Sequence, residues 1–391
     1  MLSTMWDREG QRKQLDGFPA SLEHWSLGEE IDQSRRTLLD RVEVALSSKV
    51  LSTDVRASSR NLVLEVELED DQRVIVRVPP EPSPTPTAES AACYPATFES
   101  EAALLVWLHE RTSLPVPRVH VVIHRSEEEP NTFLIMEKIR GDCLMNVYGG
   151  LPYVLKESIV LTMAEIMLDL HTLEVPQRIG TTLIHGDVVN VVPLATIPFP
   201  PTHARVFDTL EEYILGLIEA KRTSSLVGTD DGDLSTANVV LDRLAKELPP
   251  IFHHLSAPSC RRCVLSHDDL HGANVLVDGE GQISGIVDWE FHSIVPLVLA
   301  AKYPSWIRYD GLCDPLFAIE GSWWHTSQED AAKLRAVYAD VIKEKNVNYW
   351  RALVDGELLR QVEEWLTMSW PDPGCARMSA WMDIVFPPRA E

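Results

Sequence analysis

Basic residues are scarce in this chain. Its 391 residues carry 35 Lys and Arg against 59 Asp and Glu, a formal charge of −24, and a surface of that sign repels the phosphate backbones a general nucleic-acid binder must attract. Cysteine is sparse as well. The six thiols (Cys93, Cys143, Cys260, Cys263, Cys313, Cys375) lie far apart except for one pair, unlike the framework of a disulfide-held secreted domain. That pair, Cys260-Arg-Arg-Cys263 behind His253 and His254, lacks the second half of a zinc site. No apolar run reaches the ~18 residues of a membrane span. Met1–Asp32 has no apolar core behind a basic start, so no secretory leader is expected either. These absences favour a reducing, cytoplasmic setting without membrane or nucleic-acid partners. Glycine and proline, 19 and 26 residues, stay far below the ~25–30% that marks low complexity, which excludes large-scale disorder.

What is present is globular: 45% apolar and 24% charged residues, in a chain longer than one hydrophobic core usually serves, so two lobes are expected. Asn61–Glu69 places Leu62, Leu64, Val66 and Leu68 on one face and mostly Glu on the other, the period of a half-buried strand. Asp70-Asp71 makes a turn, and Gln72–Val78 is a second β-rich run stopped by Pro79-Pro80. The Pro-, Ser- and Thr-rich stretch to Ala92 is the candidate for a mobile insertion. Phe98–Arg111 is helical, closed by Pro115 and Pro117, and Val119–His124 and Thr132–Lys138 are short strands. After Gly141 the spacing becomes helical, over Val154–Leu173 and Arg205–Lys221, with a Pro-rich loop at Val191–Pro201. The expected order is a partly helical extension (1–48), a strand-rich small lobe (49–140) and a mainly helical large lobe (141–391): α+β, with the cleft between the lobes as the default ligand site.

The strongest chemical signal runs from Leu265 to Glu290. Asn274–Asp278 is a short strand, Gly279–Gly281 a turn and Ile283–Val287 the returning strand, so Asn274 and Asp288 meet at the hairpin's open end. Two oxygen donors there suit a hard cation such as Mg²⁺, which takes one or two side chains together with phosphate oxygens and water. Asp269, five residues before Asn274 on the entering loop, can face the same point and accept a hydroxyl proton. One base and two metal ligands are the working parts of phosphoryl transfer.

His267-Asp268-Asp269-Leu270-His271, Asn274 and Val287-Asp288-Trp289-Glu290 resemble the catalytic segment of the aminoglycoside phosphotransferase-like family, with Asp268 standing where the family has Gly, and Val295-Pro-Leu-Val-Leu to Tyr303-Pro-Ser-Trp306 resembles its fungal branch most closely. The resemblance covers roughly residues 50–305. It implies a protein-kinase-like fold and an ATP- and Mg²⁺-dependent kinase acting on a small-molecule hydroxyl. It further implies that Asp269 is catalytic and that Asn274 and Asp288 bind the metal. Arg77 would reach the nucleotide phosphates, and the backbone of Glu137–Ile139 would hold the adenine. Glu101 has Leu104, Leu105 and Leu108 on its own helix face, and an inward carboxylate there needs a cation, which Arg77 supplies. Where the family has a glycine-bearing loop over the phosphates, this chain has Arg56–Asn61 without glycine, leaving Ser58, Ser59 and Asn61 as donors.

Two other stretches imitate the motif. Ile184-His-Gly-Asp187 is followed by Val192 where Asn is needed, and reads as a turn; Asp231-Gly-Asp233 through Asn238 lacks the second strand and reads as a capped helix start. His267 and His271 read as structural hydrogen-bonders, and the eleven tryptophans mainly as packing. A protein kinase is disfavoured by Asp288-Trp-Glu in place of Asp-Phe-Gly and by the lack of Ala-Pro-Glu. The alternative is a catalytically weak nucleotide-binding scaffold. The acidic balance would suit a cationic acceptor through long-range attraction.

Overall fold

The computed structural model describes residues 4–6, 12–14, 33–57, 61–79, 88–124, 132–194, 205–308 and 324–387. A short hairpin of β1 (Thr4–Trp6) and β2 (Arg12–Gln14) precedes helix α1 (Gln33–Leu46). Strands β3 (Val50–Ala57), β4 (Leu62–Leu68) and β5 (Arg73–Val78) form an antiparallel meander. Helix α2 (Ala88–Arg111) then leaves the sheet, and β6 (Val119–Ile123) and β7 (Phe133–Glu137) complete it in the order β3-β4-β5-β7-β6.

The alternation seen in β4 is real but its meaning is wider than a half-buried strand. Leu64, Val66 and Leu68 pack with Val74, Val76, Phe133 and Ile135 under Leu38 and Val42 of α1. The opposite face is not left to solvent: Leu134 and Met136 join the large core together with Ala102, Leu104 and Leu105 of α2. Both faces are covered, so a carboxylate such as Glu65 on the second face is buried. Helix α2 starts at Ala88, ten residues before Phe98. The local pattern missed this because Ala88–Ala92 is rich in good helix formers yet directly follows Pro- and Thr-rich chain. Residues 80–87 of the expected insertion lie outside the described residues.

The large lobe opens with β8 (Asp142–Cys143), α3 (Leu144–Val147), α4 (Tyr153–Thr172) and the hairpin β9 (Thr181–His185) with β10 (Val188–Val192). Gly186-Asp187 is the hairpin's turn, as the sequence pattern required. Next come α5 (Leu210–Arg222), α6 (Asp231–His254) and α7 (Pro258–Arg261). Asp230 caps α6 by accepting from Asp233 N at 2.8 Å, the expected capped start. The helix does not stop at Pro249-Pro250 but runs on to His254, where Leu248, Phe252 and Leu255 are buried and outweigh the lost backbone bonds. Strands β11 (Cys263–His267), β12 (Val275–Val277), β13 (Ile283–Ile286) and β14 (His292–Pro296) carry the site; helices α8 (Leu297–Ala300), α9 (Gln328–Lys345), α10 (Val347–Asp355), α11 (Glu357–Thr367) and α12 (Ala376–Val385) build the base beneath it. The architecture is the two-lobed, kinase-like α+β fold. Among the described residues no helix is long and apolar enough to cross a membrane.

Two glycines let the connection between the lobes lie against the β12–β13 hairpin. A Cβ on Gly141, whose φ is +134°, would sit 2.6 Å from Val277 O, and one on Gly285 would sit 2.7 Å from Ile139 Cδ1. Only glycine permits either approach without moving the chain.

Candidate active site

Strand β11 ends at His267, and the loop 268–274 carries the chain into β12. Val287 N donates to Asn274 O at 2.9 Å, so the two hairpin arms are joined at their open end and Asn274 and Asp288 emerge together, as their spacing predicted. Asp288 is left-handed, φ 64°, a conformation Asp tolerates better than most residues. His267 pins the loop from behind. Its Nδ1 accepts from Asp269 N at 3.2 Å, which leaves the ring proton on Nε2 to donate to Val287 O at 3.0 Å. Burial lowers its pKa and keeps the ring neutral, and the ring packs on Trp289 with centroids 4.6 Å apart.

Asp269 is half-buried. Asn274 Nδ2 donates to its backbone O at 2.9 Å and lies 3.3 Å from Oδ2, and His271 Nε2 lies 3.4 Å from Oδ1. Burial pushes the carboxyl up, but His271 and Asn274 more than offset it, so its pKa lies below the usual carboxylate range. It is held ionised and able to accept a proton.

Arg77, on β5, is buried and meets three carboxylates. Nη1 donates to Glu101 Oε1 at 2.6 Å and Oε2 at 2.7 Å; Nη2 donates to Asp288 Oδ1 at 2.9 Å and Glu290 Oε2 at 2.5 Å. The expected Arg77–Glu101 pair is present, and it is part of a larger node. Burial alone would lower the pKa of Arg77, and the three acids overcome that and raise it. Burial holds Glu101 above the ordinary carboxylate range against the pull of Arg77. Next to Glu101, Ser100 Oγ donates to Thr182 O and lies 3.3 Å from His292 Nε2, tying α2 to the large lobe. His292 is pushed down to about 4 by burial and so stays neutral.

Glu290 was legible as part of the motif but its role was not drawn. Asp288 and Glu290 are two residues apart in the turn that leaves the hairpin, and both side chains meet Arg77 Nη2. The buried amide of Asn61, expected as a phosphate donor, donates to Glu290 Oε2 at 2.8 Å. That bond spans 229 positions of the chain and gives the buried carboxylate a donor it would be costly to lack. Ser59 lies outside the described residues. The Glu101 carboxylate faces Arg77 with both oxygens.

At the connection between lobes, Glu137 N donates to Arg118 O at 2.8 Å and Lys138 N to Arg73 O at 3.3 Å. Among the described residues the N–H of Ile139 has no such partner, so of the three it is the donor available to a base edge. A cavity of about 870 Å³ opens here, lined by Glu65, Arg73, Glu137, Lys138, Ile139 and Gly141 among others. Asp268, the departure from the family motif, is exposed and accepts from Ser293 Oγ at 2.8 Å. Desolvation, opposed by Ser293 and Lys302, pushes it up to about 6. A second cavity, about 300 Å³, lies against the loop and is lined by Asp268, Leu270, Lys302, Tyr303, Arg308 and Glu364 among others.

The donor set fits Mg²⁺. Asn274 Oδ1 and the second oxygen of Asp288 are hard donors that no hydrogen bond among the described residues uses. No group of three or more His, Cys, Asp or Glu among the described residues could cage a metal. Magnesium needs no such cage, since it retains water and shares phosphate oxygens. Around Arg77 three carboxylates face one guanidinium, a local excess of negative charge that a cation offsets.

A model of the phosphotransferase enzyme family matches residues 53–298. Clavilactone A biosynthesis cluster protein Y of Ampulloclitocybe clavipes is 42% identical, over 98% of this chain and 95% of its own length. A subtelomeric hrmA-associated cluster protein of Aspergillus fumigatus is 24% identical over 64% of this chain and 59% of its own. Among solved structures, a thermostable mutant of aminoglycoside phosphotransferase APH(4)-Ia is 14% identical, covers 83% of this chain and 98% of its own, and has a TM-score of 0.46. The GDP and kanamycin complex of APH(2")-IIia is 17% identical, with coverages of 89% and 95% and a TM-score of 0.47.

Proposed function

The chain belongs to the phosphotransferase enzyme family, and from that membership we propose that it is a kinase moving the γ-phosphoryl group of ATP, with Mg²⁺, to a hydroxyl of a small molecule. The observation that carries this reading is the convergence of Asp269, Asn274 and Asp288 at one hairpin end, beside a buried arginine bonded to Asp288.

In this reading Asp269 takes the proton of the acceptor hydroxyl as the new oxygen–phosphorus bond forms. The bond from phosphorus to the β–γ bridging oxygen breaks, and its electron pair leaves on ADP. Asn274 and Asp288 would hold the metal, which when bound would supply positive charge to offset the charge that gathers on the phosphate oxygens. Arg77, kept in place by Glu101 and Glu290, supplies a fixed positive charge beside Asp288, and the N–H of Ile139 serves the base. Positioning and charge neutralisation account for most of the catalysis in such a site. The smaller cavity, against Asp268 and Leu270, is our candidate seat for the acceptor. Asp268 and Glu364 there balance Lys302 and Arg308, so the chain's acidic excess is not reproduced in its lining and a cationic acceptor gains no support from it. The 42% identical relative carries the name of a biosynthesis cluster, which supports a small-molecule acceptor over a macromolecular one.

The test is transfer of labelled phosphate from Mg·ATP into a metabolite extract, run with the wild-type chain and with Asp269→Asn. A labelled product made by the first and reduced ~10²-fold or more in the second is expected. Equal labelling by both would refute the assignment of Asp269.

A further inference from the structure

The loop between Asp269 and Asn274 contains a second histidine whose geometry suits a task beyond local structure. His271 Nδ1 accepts from Ala273 N at 3.1 Å. A ring nitrogen that accepts carries no proton, so in the neutral ring the proton resides on Nε2. Nε2 is the atom that faces Asp269 Oδ1, at 3.4 Å. The other oxygen, Oδ2, faces Asn274 Nδ2 at 3.3 Å. Each oxygen of the carboxylate therefore faces one nitrogen, that of His271 at ion-pair distance and that of Asn274 as a long hydrogen bond, and the Asp269 side chain is 44% exposed.

We propose that His271 is a positioning residue, whose Nε2–H holds the Asp269 carboxylate in the orientation from which it takes the acceptor's proton. The inference rests on the reading of Asp269 as the base. A short carboxylate side chain at that exposure would otherwise rotate about its χ angles, and catalytic rate is sensitive to such misplacement. The alternative role, closing the turn, is already served by Asn274 N, which donates to His271 O at 2.9 Å. The ring is not needed for that bond, whereas nothing but the ring reaches Oδ1 among the described residues. His267, four residues earlier, shows the same arrangement: Nδ1 accepts a backbone N–H from two residues on, and the Nε2–H so fixed donates to Val287 O beside Asp288. One histidine thus sets the arm of the metal-ligand candidate and the other sets the base.

Three substitutions separate the two bonds. His271→Gln keeps a donor where Nε2 stood and loses the acceptor at Nδ1; His271→Asn keeps the acceptor and loses the donor; His271→Ala loses both. Phosphate released from Mg·ATP with water as acceptor gives kcat and the KM for ATP, thermal melting gives stability, and ¹⁵N NMR of the imidazole gives the tautomer. We expect the Nε2–H tautomer in the neutral ring, a kcat about 10-fold lower for Asn and Ala but near wild type for Gln, and an unchanged KM for ATP. Melting should follow the opposite order, with Asn closer to wild type than Gln. An Nδ1–H tautomer, or a kcat that tracks melting across the series, overturns the proposal. Asp269→Asn distinguishes the two readings. If that variant keeps its turnover, the base assignment itself falls; if it is inactive and Gln is no better than Ala, only the positioning role falls. In the Asp269→Asn background, His271→Ala should cost nothing further.

Discussion

Replacing Arg77 by alanine removes one guanidinium from three carboxylates. Arg77 and Glu101 side chains are 7% and 1% exposed, and Glu290 is 6% exposed. Removing one partner of a buried ion pair costs ~3–5 kcal/mol, because the charge left behind has neither water nor partner. Glu101→Ala is different: Arg77 keeps Asp288 at 2.9 Å and Glu290 at 2.5 Å, so the loss is closer to the ~1.5–3 kcal/mol of a charged hydrogen bond. Arg77→Ala should therefore be the more destabilising of the two, and the double mutant should show a coupling of ~0.5–3 kcal/mol. Arg77→Lys should fall between wild type and Ala, since a point charge cannot fork toward acids on both sides. The deficit also depends on pH. Orphaned buried carboxylates have folded pKa values raised above their unfolded ones, so their penalty is absent below the unfolded value and fully present once pH exceeds the folded value. The cost of Arg77→Ala should shrink as pH is lowered from 8 toward about 5. Urea unfolding of the wild type and the four variants, followed by tryptophan fluorescence and circular dichroism, measures all of this. Additive effects, or an Arg77→Ala cost below ~1 kcal/mol, would refute the three-way node.

Asp288→Ala should abolish the Mg²⁺ dependence of ATP binding, read by calorimetry with and without the metal, because the site would lose its carboxylate ligand. Asp268→Asn should stabilise the protein above pH 6 and change little near pH 4. The folded carboxyl is raised to about 6 by desolvation, so its ionisation carries a cost absent below the ordinary value and complete above the folded one, reduced by solvent screening because the side chain is exposed. Melting curves across that range check it, and an equal shift at both pH values would contradict the desolvation argument. Gly285→Ala should cost ~1–3 kcal/mol and weaken ATP affinity, since its Cβ would press 2.7 Å from Ile139 Cδ1; nucleotide titration and melting read both effects.

The β12–β13 hairpin, the Asp269 to Asn274 spacing and the meander β4–β5 were legible because each is local: strand alternation and turn residues fix neighbours within a few residues. The Arg77–Glu101 pair was legible for a related reason, since an acid on an apolar helix face demands a cation and one strand nearby supplied it. Strand β3 was not read, because Val50–Ala57 lacks clean alternation and is defined by its pairing with β4.

The sequence alone thus determined the lobes, the motif and the types of residue at the site. It could not determine which of them touch. Arg77 reaches Asp288 and Glu290 across 211 and 213 positions, and Asn61 reaches Glu290 across 229. The burial of Glu65 likewise depends on what covers its face of the sheet. Periodicity specifies the direction in which a side chain points, whereas its neighbours and its dielectric surroundings arise when the lobes dock. Those long-range contacts decided that one arginine would serve three acids, and that the amide of Asn61 would meet Glu290.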